Sequence, residues 1–537
     1  MGPTQYRAIQ ANLQRSSQAT EELIMEATKQ KVAFALVQEP YTGATRRLKV
    51  HQGTRVIQAQ NMRKTVKSAI ILFDDKIDLI QYPTLTTENI AVAKLRTKAW
   101  EIIVISVYLE GDGDIETDIN SIQKIVESTN GKSTILGGDV NAWNIWWGSV
   151  DTNRRGQTLG AALDEFGLHI LNRGTDPTYD YYRGGKRYTS CVDITACTVD
   201  LLNKVVNWRL NADLTVSDHR AVQFELTLQK SLGIDIKRTT RKYKTKNANW
   251  VEYQEKLSRI LDREEISSSK IQTINNTEGI DNIITKYTSA LIETCEEYLP
   301  KITSQKRKGL PWWTEELTHK KATVKKLKRR LVNAAPVRRE TVLQEYLHAK
   351  SDYAQLVNNT KTESWKSFCT KQEKESMWDS IYRVIGRTTA RQEEIPLVLG
   401  GKTLEGADSA RALAEAFYPE DRHEEDTAAH KAVRQKAERV NEREVDEPTD
   451  PPFTMEEIKW AANSFNPKKA PGVDGLTADI CRASIMHDPE IFLQMANKCL
   501  ELSHFPTPWK EAVVVILPKP GKDNYTTPKS YRPIGLL

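Results

Sequence analysis

At 537 residues the chain is longer than a single hydrophobic core sustains, so roughly two to four domains are expected. Lysine and arginine number 77 against 71 acids, a formal net charge of +6, so where the cations lie matters more than their sum. No apolar stretch approaches the ~18 residues of a membrane span and no apolar leader opens the chain, which predicts a soluble, non-secreted protein without a membrane partner.

From Tyr6 to about Leu228 short β-branched apolar runs alternate with turn-rich breaks: YRAIQANL, VAFALVQE, SAIILFD, IAVAKLRT, WEIIVISVYLE, STILGGD and AVQFELTL. Their length and composition predict buried strands. Helices are predicted over residues 16 to 30, where serines precede acids, and over 154 to 166, closed by Gly167. Strands outnumber helices, so stacked sheets flanked by helices are expected, an α+β class. Near residue 230 the texture changes to polar helical stretches, NWVEYQEKLSRILDR, DNIITKYTSALIETCEEYL and WTEELTHKKATVKKLKRRLV. Residues 237 to 246 hold six cations, and residues 301 to 331 hold eleven cations against two acids, a local net of +9. Such blocks form either a solvated helix face or a polyanion-binding surface. The domains expected are therefore 1–229, a helical basic connector over 230–418, an acidic, proline-ended linker over 419–452, and a last unit over 453–537 that opens with a capped helix in FTMEEIKWAANSF. The cysteines, Cys191, Cys197, Cys295, Cys369, Cys481 and Cys499, show no CxxC pair, which suits reduced, unpaired thiols.

Polar residues recur where the apolar runs end. Asn12 ends the first, Glu39 the second, and Tyr108 lies near the end of WEIIVISVYLE; Asp139 follows STILGG with Asn141 two residues on, Asp193 lies in CVDITAC, and Asp218 and His219 precede AVQFELTL. Each alone is accounted for by a cap or a satisfied polar group. Together they are the residue types of metal-assisted phosphodiester hydrolysis. Glu39 and Asp218 offer the hard oxygen donors that Mg2+ or Mn2+ takes. Asp139, fixed by Asn141, can accept a proton from an attacking water. His219, oriented by Asp193, serves the developing phosphorane, and Asn12 and Tyr108 donate to phosphoryl oxygens.

The ordered set QANL, LVQEPY, SVYLE, GGDVNAW, CVDIT and SDH resembles the endonuclease/exonuclease/phosphatase superfamily. Within it, LVQEPY and GGDVNAWNIWWGS resemble the endonuclease domains of non-LTR retrotransposon polyproteins. The resemblance implies a four-layer αββα sandwich, a divalent metal and nicking of double-stranded target DNA to leave a 3′-hydroxyl primer. It matches Glu39 and Asp218 to metal-site acids, Asp139 to the water-activating aspartate, Asn141 and Asn12 to its asparagine partners, Tyr108 to the tyrosine after the long strand, and His219 with Asp193 to the phosphate-contacting histidine and its orienting acid. Leu109 or Glu110 stands where many relatives have proline, and Val140 where many have an aromatic.

Trp143, Trp146 and Trp147 are either core beneath the loop or stacking residues. Arg15, Trp143, Lys325, Lys328 and Arg329 are the expected nucleic-acid contacts, the last three from a cationic helix following PWW that resembles the connector of the same family. NPKKAPGVDGLTADI and WKEAVVVILPKPGKDNYTTPKSYRPIGLL resemble the fingers of non-LTR reverse transcriptases, which implies that Lys519 and Arg532 face nucleotide and template. The paired metal-binding aspartates of a polymerase are expected beyond YRPIGLL, so polymerisation by these residues is not expected, and the last unit is expected to fold poorly. The full protein is expected to use an element RNA, no small-molecule substrate, and the nucleus. Two other readings stand beside this one: a catalytically silent nucleic-acid-binding relic, and a phospholipid hydrolase on the same fold.

Overall fold

The computed structural model describes residues 3–51, 53–59, 64–129, 131–183, 186–229, 243–245, 248–301, 312–370, 395–400, 402–441, 450–467, 469–520, 522 and 524–536. They form two compact units, Met1–Asp235 with Gln305–Pro396, and Ile236–Ser304 with Leu397–Leu537. The expected connector is therefore divided: its first part belongs to the second unit and its basic helices to the first.

In the first unit the chain runs β1 (Pro3–Asn12), α1 (Ser17–Lys29), β2 (Phe34–Gln38), β3 (Arg55–Ile57), β4 (Ser68–Leu72), β5 (Asp78–Gln81), β6 (Ile90–Arg96), β7 (Glu101–Tyr108), α2 (Ile115–Ser128), β8 (Thr134–Asp139), α3 (Arg154–Glu165), β9 (Leu168–Ile170), β10 (Tyr179–Arg183), β11 (Lys186–Ser190), β12 (Asp193–Thr198), β13 (Val205–Asn211), β14 (Ala221–Gln229), α4 (Glu315–Val332) and α5 (Pro336–Thr370). Two six-stranded sheets carry it, ordered β13-β14-β1-β2-β4-β3 and β5-β6-β7-β8-β12-β9, with β10 and β11 forming a separate hairpin. Strands buried on both faces explain the unbroken apolar runs. Phe34, Leu36, Ile70 and Phe224 of the first sheet meet Ala93, Val104 and Ile135 of the second. The other face of the second sheet packs under Ile119, Ile122 and Ile125 of α2 and Leu159 and Leu163 of α3. The other face of the first sheet is covered by Ala19, Leu23 and Ala27 of α1. Helix, sheet, sheet and helix thus stack in four layers, as expected.

Helix starts follow local chemistry. Ser16 accepts from the Ala19 amide at the start of α1, and Asn153 accepts from the Gly156 amide at the start of α3. Helix α2 is capped by Asp114, whose carboxylate accepts from the amides of Glu116 and Thr117.

Helices α4 and α5 join the α1 layer. Leu317, Val324 and Leu331 of α4 and Val342, Leu343, Tyr346, Tyr353 and Val357 of α5 belong to the same core as Leu13, Leu23 and Val37.

The second unit gathers helices Trp250–Arg263, Thr277–Tyr298, Ala478–His487 and Pro489–Glu501 around Tyr253, Leu257, Ile284, Ile480 and Met495. Residues beyond 453, expected to fold poorly, find an apolar complement in residues 250–299. Helix Met455–Ser464 starts with the expected capping box, Thr454 and Glu457. A hairpin pairs Val513–Pro518 with Tyr531–Leu536.

Candidate active site

Strand register assembles the site. Tyr108 on β7 stands opposite Asp139 on β8, and Asp139 stands opposite Asp193 on β12, so three polar side chains end adjacent strands in one row. In the first sheet Asn12 on β1 stands opposite Gln38 on β2, with Glu39 following. The Asn12 amide Nδ2 donates to Asp139 Oδ2 at 2.8 Å and ties the two sheets together at their ends. His219 lies in the turn before β14, its Nδ1 2.8 Å from Asp193 Oδ2 and its Nε2 3.9 Å from Asp139 Oδ2. The Tyr179 ring lies against it, with centroids 4.8 Å apart.

The glycine pair before Asp139 permits this. A Cβ on Gly137 would stand 2.4 Å from Gln10 Oε1, and one on Gly138 would stand 1.8 Å from the Val107 carbonyl. Glu39 and Asn141 both have left-handed backbones, at φ +43° and +44°, a conformation costly for residues other than glycine and concentrated at functional positions. That turn lets the Asn141 amide N–H donate to Asp139 Oδ1 at 3.1 Å while its side chain donates to the Leu109 carbonyl at 3.0 Å. Asn141 thus holds Asp139 through its backbone rather than by aiming its amide side chain at the same spot.

Electrostatics follow from burial. Asp139 and Asp193 are each 2% exposed. Desolvation raises the Asp139 pKa, the Asp193 charge raises it further, and His219, Asn141 and Asn12 counteract only in part. For His219 burial favours the neutral ring, but Asp193, Asp139 and Asp218 outweigh it and raise the pKa to about 9. Tyr108 is pushed up by burial and by the nearby Glu39 and Asp139 charges.

The expected metal acids lie at the same strand ends, each with a cation beside it. Glu39 Oε1 accepts from Arg15 Nε at 3.0 Å and Nη2 at 2.8 Å, and Asp218 Oδ1 lies 3.8 Å from Lys350 Nζ. A tighter group is Asp139, Asp193 and His219, whose ligand atoms lie within 4.8 Å of one another. Because His219 Nδ1 is committed to Asp193 and both Asp139 oxygens accept hydrogen bonds, the carboxylates of Glu39 and Asp218 are the oxygen donors that would suit a hard divalent cation.

The other expected contacts separate. Trp143 and Trp146 are 49% and 57% exposed, whereas Trp147 is buried and donates its indole N–H to the Ala142 carbonyl at 3.2 Å. The three cations of α4 do not form an open phosphate-tracking row: Lys328 Nζ donates to the Ser217 carbonyl at 2.9 Å, Lys325 lies 4.0 Å from Glu26, and Arg329, 66% exposed, lies 3.0 Å from Asp213. Apolar burial of α4 against α1 turns that face inward. Lys519 and Arg532 belong to the second unit, where Lys519 Nζ donates to the Lys529 carbonyl and Arg532 stands opposite Leu517. The basic block 237–246 lies outside the described residues except Tyr243, Lys244 and Thr245.

A polar layer between the sheets was not anticipated. Gln10 accepts from Thr195 Oγ1 at 2.9 Å, and Gln38 donates to Ser106 Oγ at 2.8 Å. Gln14 Oε1 accepts from the Asp218 amide at 2.9 Å. Glutamine inside otherwise apolar strands was the available signal.

A family model described as endonuclease-reverse transcriptase matches residues 102–223. The chain is 48% identical to the endonuclease domain of TRAS1, a telomere-specific non-LTR retrotransposon, over 42% of this chain and all of that one, with a TM-score of 0.40. A 115 kDa protein of the type-1 retrotransposable element R1DM of Drosophila melanogaster is 26% identical over 98% of this chain and 50% of its own length. The Pol polyprotein of the type-1 element R1 of Bradysia coprophila is 23% identical over 88% of this chain and 46% of its own. The chain spans about half the length of these curated relatives.

Proposed function

This chain belongs to the non-LTR retrotransposon endonuclease and reverse transcriptase family, and from that premise we propose that its first unit is a Mg2+- or Mn2+-dependent DNA endonuclease that nicks double-stranded target DNA to leave a 3′-hydroxyl. The observation that carries the proposal is the buried line Asn12, Asp139, His219, Asp193, closed by contacts of 2.8, 3.9 and 2.8 Å.

Asp139 is the proton acceptor for the attacking water, because burial and the Asp193 charge raise its basicity while Asn12 and the Asn141 amide fix both its oxygens. His219, kept protonated by Asp193, stabilises the charge that develops on the phosphoryl oxygens. The Tyr108 hydroxyl and the Asn12 side chain are the further donors on that side. Glu39 and Asp218 are the residues that would hold a divalent cation, which would supply electrostatic stabilisation of negative charge at the phosphate. Exposed Trp143 and Trp146, with Arg15 and Arg329, are proposed to meet the duplex.

Supercoiled plasmid should convert to the open circle with the purified chain and Mg2+, and stay supercoiled with EDTA. An unchanged rate in His219→Ala or Asp139→Ala overturns the assignment, and salt-dependent binding without cleavage favours a silent binding protein instead. In the whole protein the nick is proposed to prime reverse transcription of an element RNA in the nucleus. Primer extension by residues 1–537 is expected to be absent, and detecting it overturns that part.

A further inference from the structure

Lysines of α4 and α5 converge on one short turn. Lys321 Nζ donates to the Leu214 carbonyl at 3.2 Å, Lys328 Nζ donates to the Ser217 carbonyl at 2.9 Å, and Lys350 Nζ lies 3.8 Å from Asp218 Oδ1. Leu214, Ser217 and Asp218 belong to the turn that ends in His219. From the other side the same turn is held by the strand domain: the Val216 amide donates to Glu22 at 2.9 Å, Ser217 Oγ donates to the Asn12 carbonyl at 2.8 Å, and the Asp218 amide donates to Gln14 at 2.9 Å. Ser217 Oγ also accepts from the His219 amide at 3.2 Å.

Leu214 and Ser217 are buried outside the strands, so their carbonyls have no ladder to pair with, and buried carbonyls need donors. Lys321 and Lys328 supply them. A lysine whose ammonium caps a backbone carbonyl one residue before Asp218 controls where that residue and the imidazole point. We propose that Lys328 is a positioning residue of the endonuclease site, holding the turn that presents Asp218 and His219, so that the working nuclease extends through α4 and α5. The inference rests on the phosphodiesterase reading of that site. It departs from a role for Lys328 on the DNA backbone: this side chain is half-buried and its ammonium is turned to the Ser217 carbonyl.

Displacing a reacting group by about 1 Å can lower the rate on the order of 100-fold. Lys328→Met in the full chain is therefore expected to lower kcat for plasmid nicking by about 10- to 100-fold. KM and DNA affinity in EDTA should stay within about twofold, because substrate contacts are left in place and an energy change that small lies well below one decade. Lys328→Arg, which keeps a cationic donor, should restore most of kcat, and exposed Lys326→Met on the same helix should change neither constant. Histidine NMR gives an independent reading. The His219 imidazole signals, identified by their loss in His219→Gln, should move in Lys328→Met while those of distant histidines hold.

A rise in KM and weaker DNA binding with kcat unchanged would make Lys328 a phosphate contact and overturn the inference. An unaltered kcat together with an unmoved His219 signal overturns it as well. Absence of nicking by the unsubstituted chain overturns the phosphodiesterase reading instead, and the His219 signals then still decide the positioning role. Should Lys328→Met lose its cooperative melt, Lys328→Gln, neutral and shorter, takes its place with the same expectation.

Discussion

Replacing Asp193 by asparagine separates charge from shape at the centre of the site. The amide oxygen can still accept from His219 Nδ1, so the 2.8 Å contact is geometrically conserved while the carboxylate charge is lost. A hydrogen bond to a buried charged group is worth roughly 1.5–3 kcal/mol. At about 1.4 kcal/mol per tenfold in rate, kcat should fall about 10- to 150-fold if His219 acts as the imidazolium. The pH dependence should change as well. Burial disfavours the His219 cation, yet Asp193 and its neighbours hold its pKa at about 9, so the cation persists through neutral pH and is lost only as pH rises through that value. In Asp193→Asn a raising charge is gone, and the alkaline limb of the nicking rate should move to lower pH. Initial rates of plasmid nicking from pH 6 to 10 at saturating metal measure both effects. A variant that nicks within about twofold of the parent at neutral pH, with its alkaline limb in the same place, would refute this role for the Asp193–His219 pair.

Asn12→Ala removes the donor to Asp139 Oδ2 and should lower kcat about 10- to 100-fold from the same energy range, with melting little changed; an unchanged single-turnover rate counts against it. Trp147→Ala deletes a fully buried indole and should destabilise the first unit by about 3–5 kcal/mol in denaturant melts. Trp146→Ala, at an exposed indole, should stay within about 0.5 kcal/mol of the parent and instead weaken DNA binding, and the reverse pattern would refute the division. Burial raises the Glu22 pKa against the opposing effects of Lys321, Tyr353 and the Val216 amide, so its contribution is greatest below the unfolded value and declines as pH rises through the folded one. Glu22→Gln should therefore gain melting temperature relative to the parent as pH rises from 5 to 8, and a relative loss over that range contradicts this sign.

Strands β1, β2, β4, β6, β7, β8 and β14, with α1 and α3, were legible because their signals are local: unbroken β-branched runs, a serine or asparagine cap, a closing glycine. Helix α2 carried the same kind of signal, Asp114 ahead of isoleucines at 119, 122 and 125, but a glycine- and acid-rich approach obscured it. The candidate site residues were legible as types at strand ends. Their adjacency was not, since Asp139 and Asp193 meet only through cross-strand register. The docking of α4 and α5 was hidden by charge. Leu317, Val324 and Leu331 recur every seven residues among lysines, a narrow apolar seam that composition reads as a solvated helix. Glu22 on the apolar face of α1 was the complementary hint, because a fully buried carboxylate needs partners, and Tyr353 and the Val216 amide provide them at 2.7 and 2.9 Å.

Register and the glycine pair together fix the frame of the site. Side chains on a strand alternate between faces, so a slip of one residue in β8 would turn Asp139 away from Asn12 and His219 altogether. On one side β8 pairs in parallel with β7 and on the other antiparallel with β12, and either ladder alone leaves the strand free to shift with its partner. Gly137 and Gly138 remove that freedom. Because neither has a Cβ, β8 sits against Gln10, Leu36 and the Val107 carbonyl at distances no other residue allows. Gln10 then donates to the Gly138 carbonyl at 3.3 Å and accepts from Thr195 on β12 at 2.9 Å, so a first-sheet side chain bridges the two strands that bear Asp139 and Asp193. The separation of those two carboxylates, and with it the raised proton affinity of Asp139, is therefore set from across the sandwich rather than by the second sheet alone.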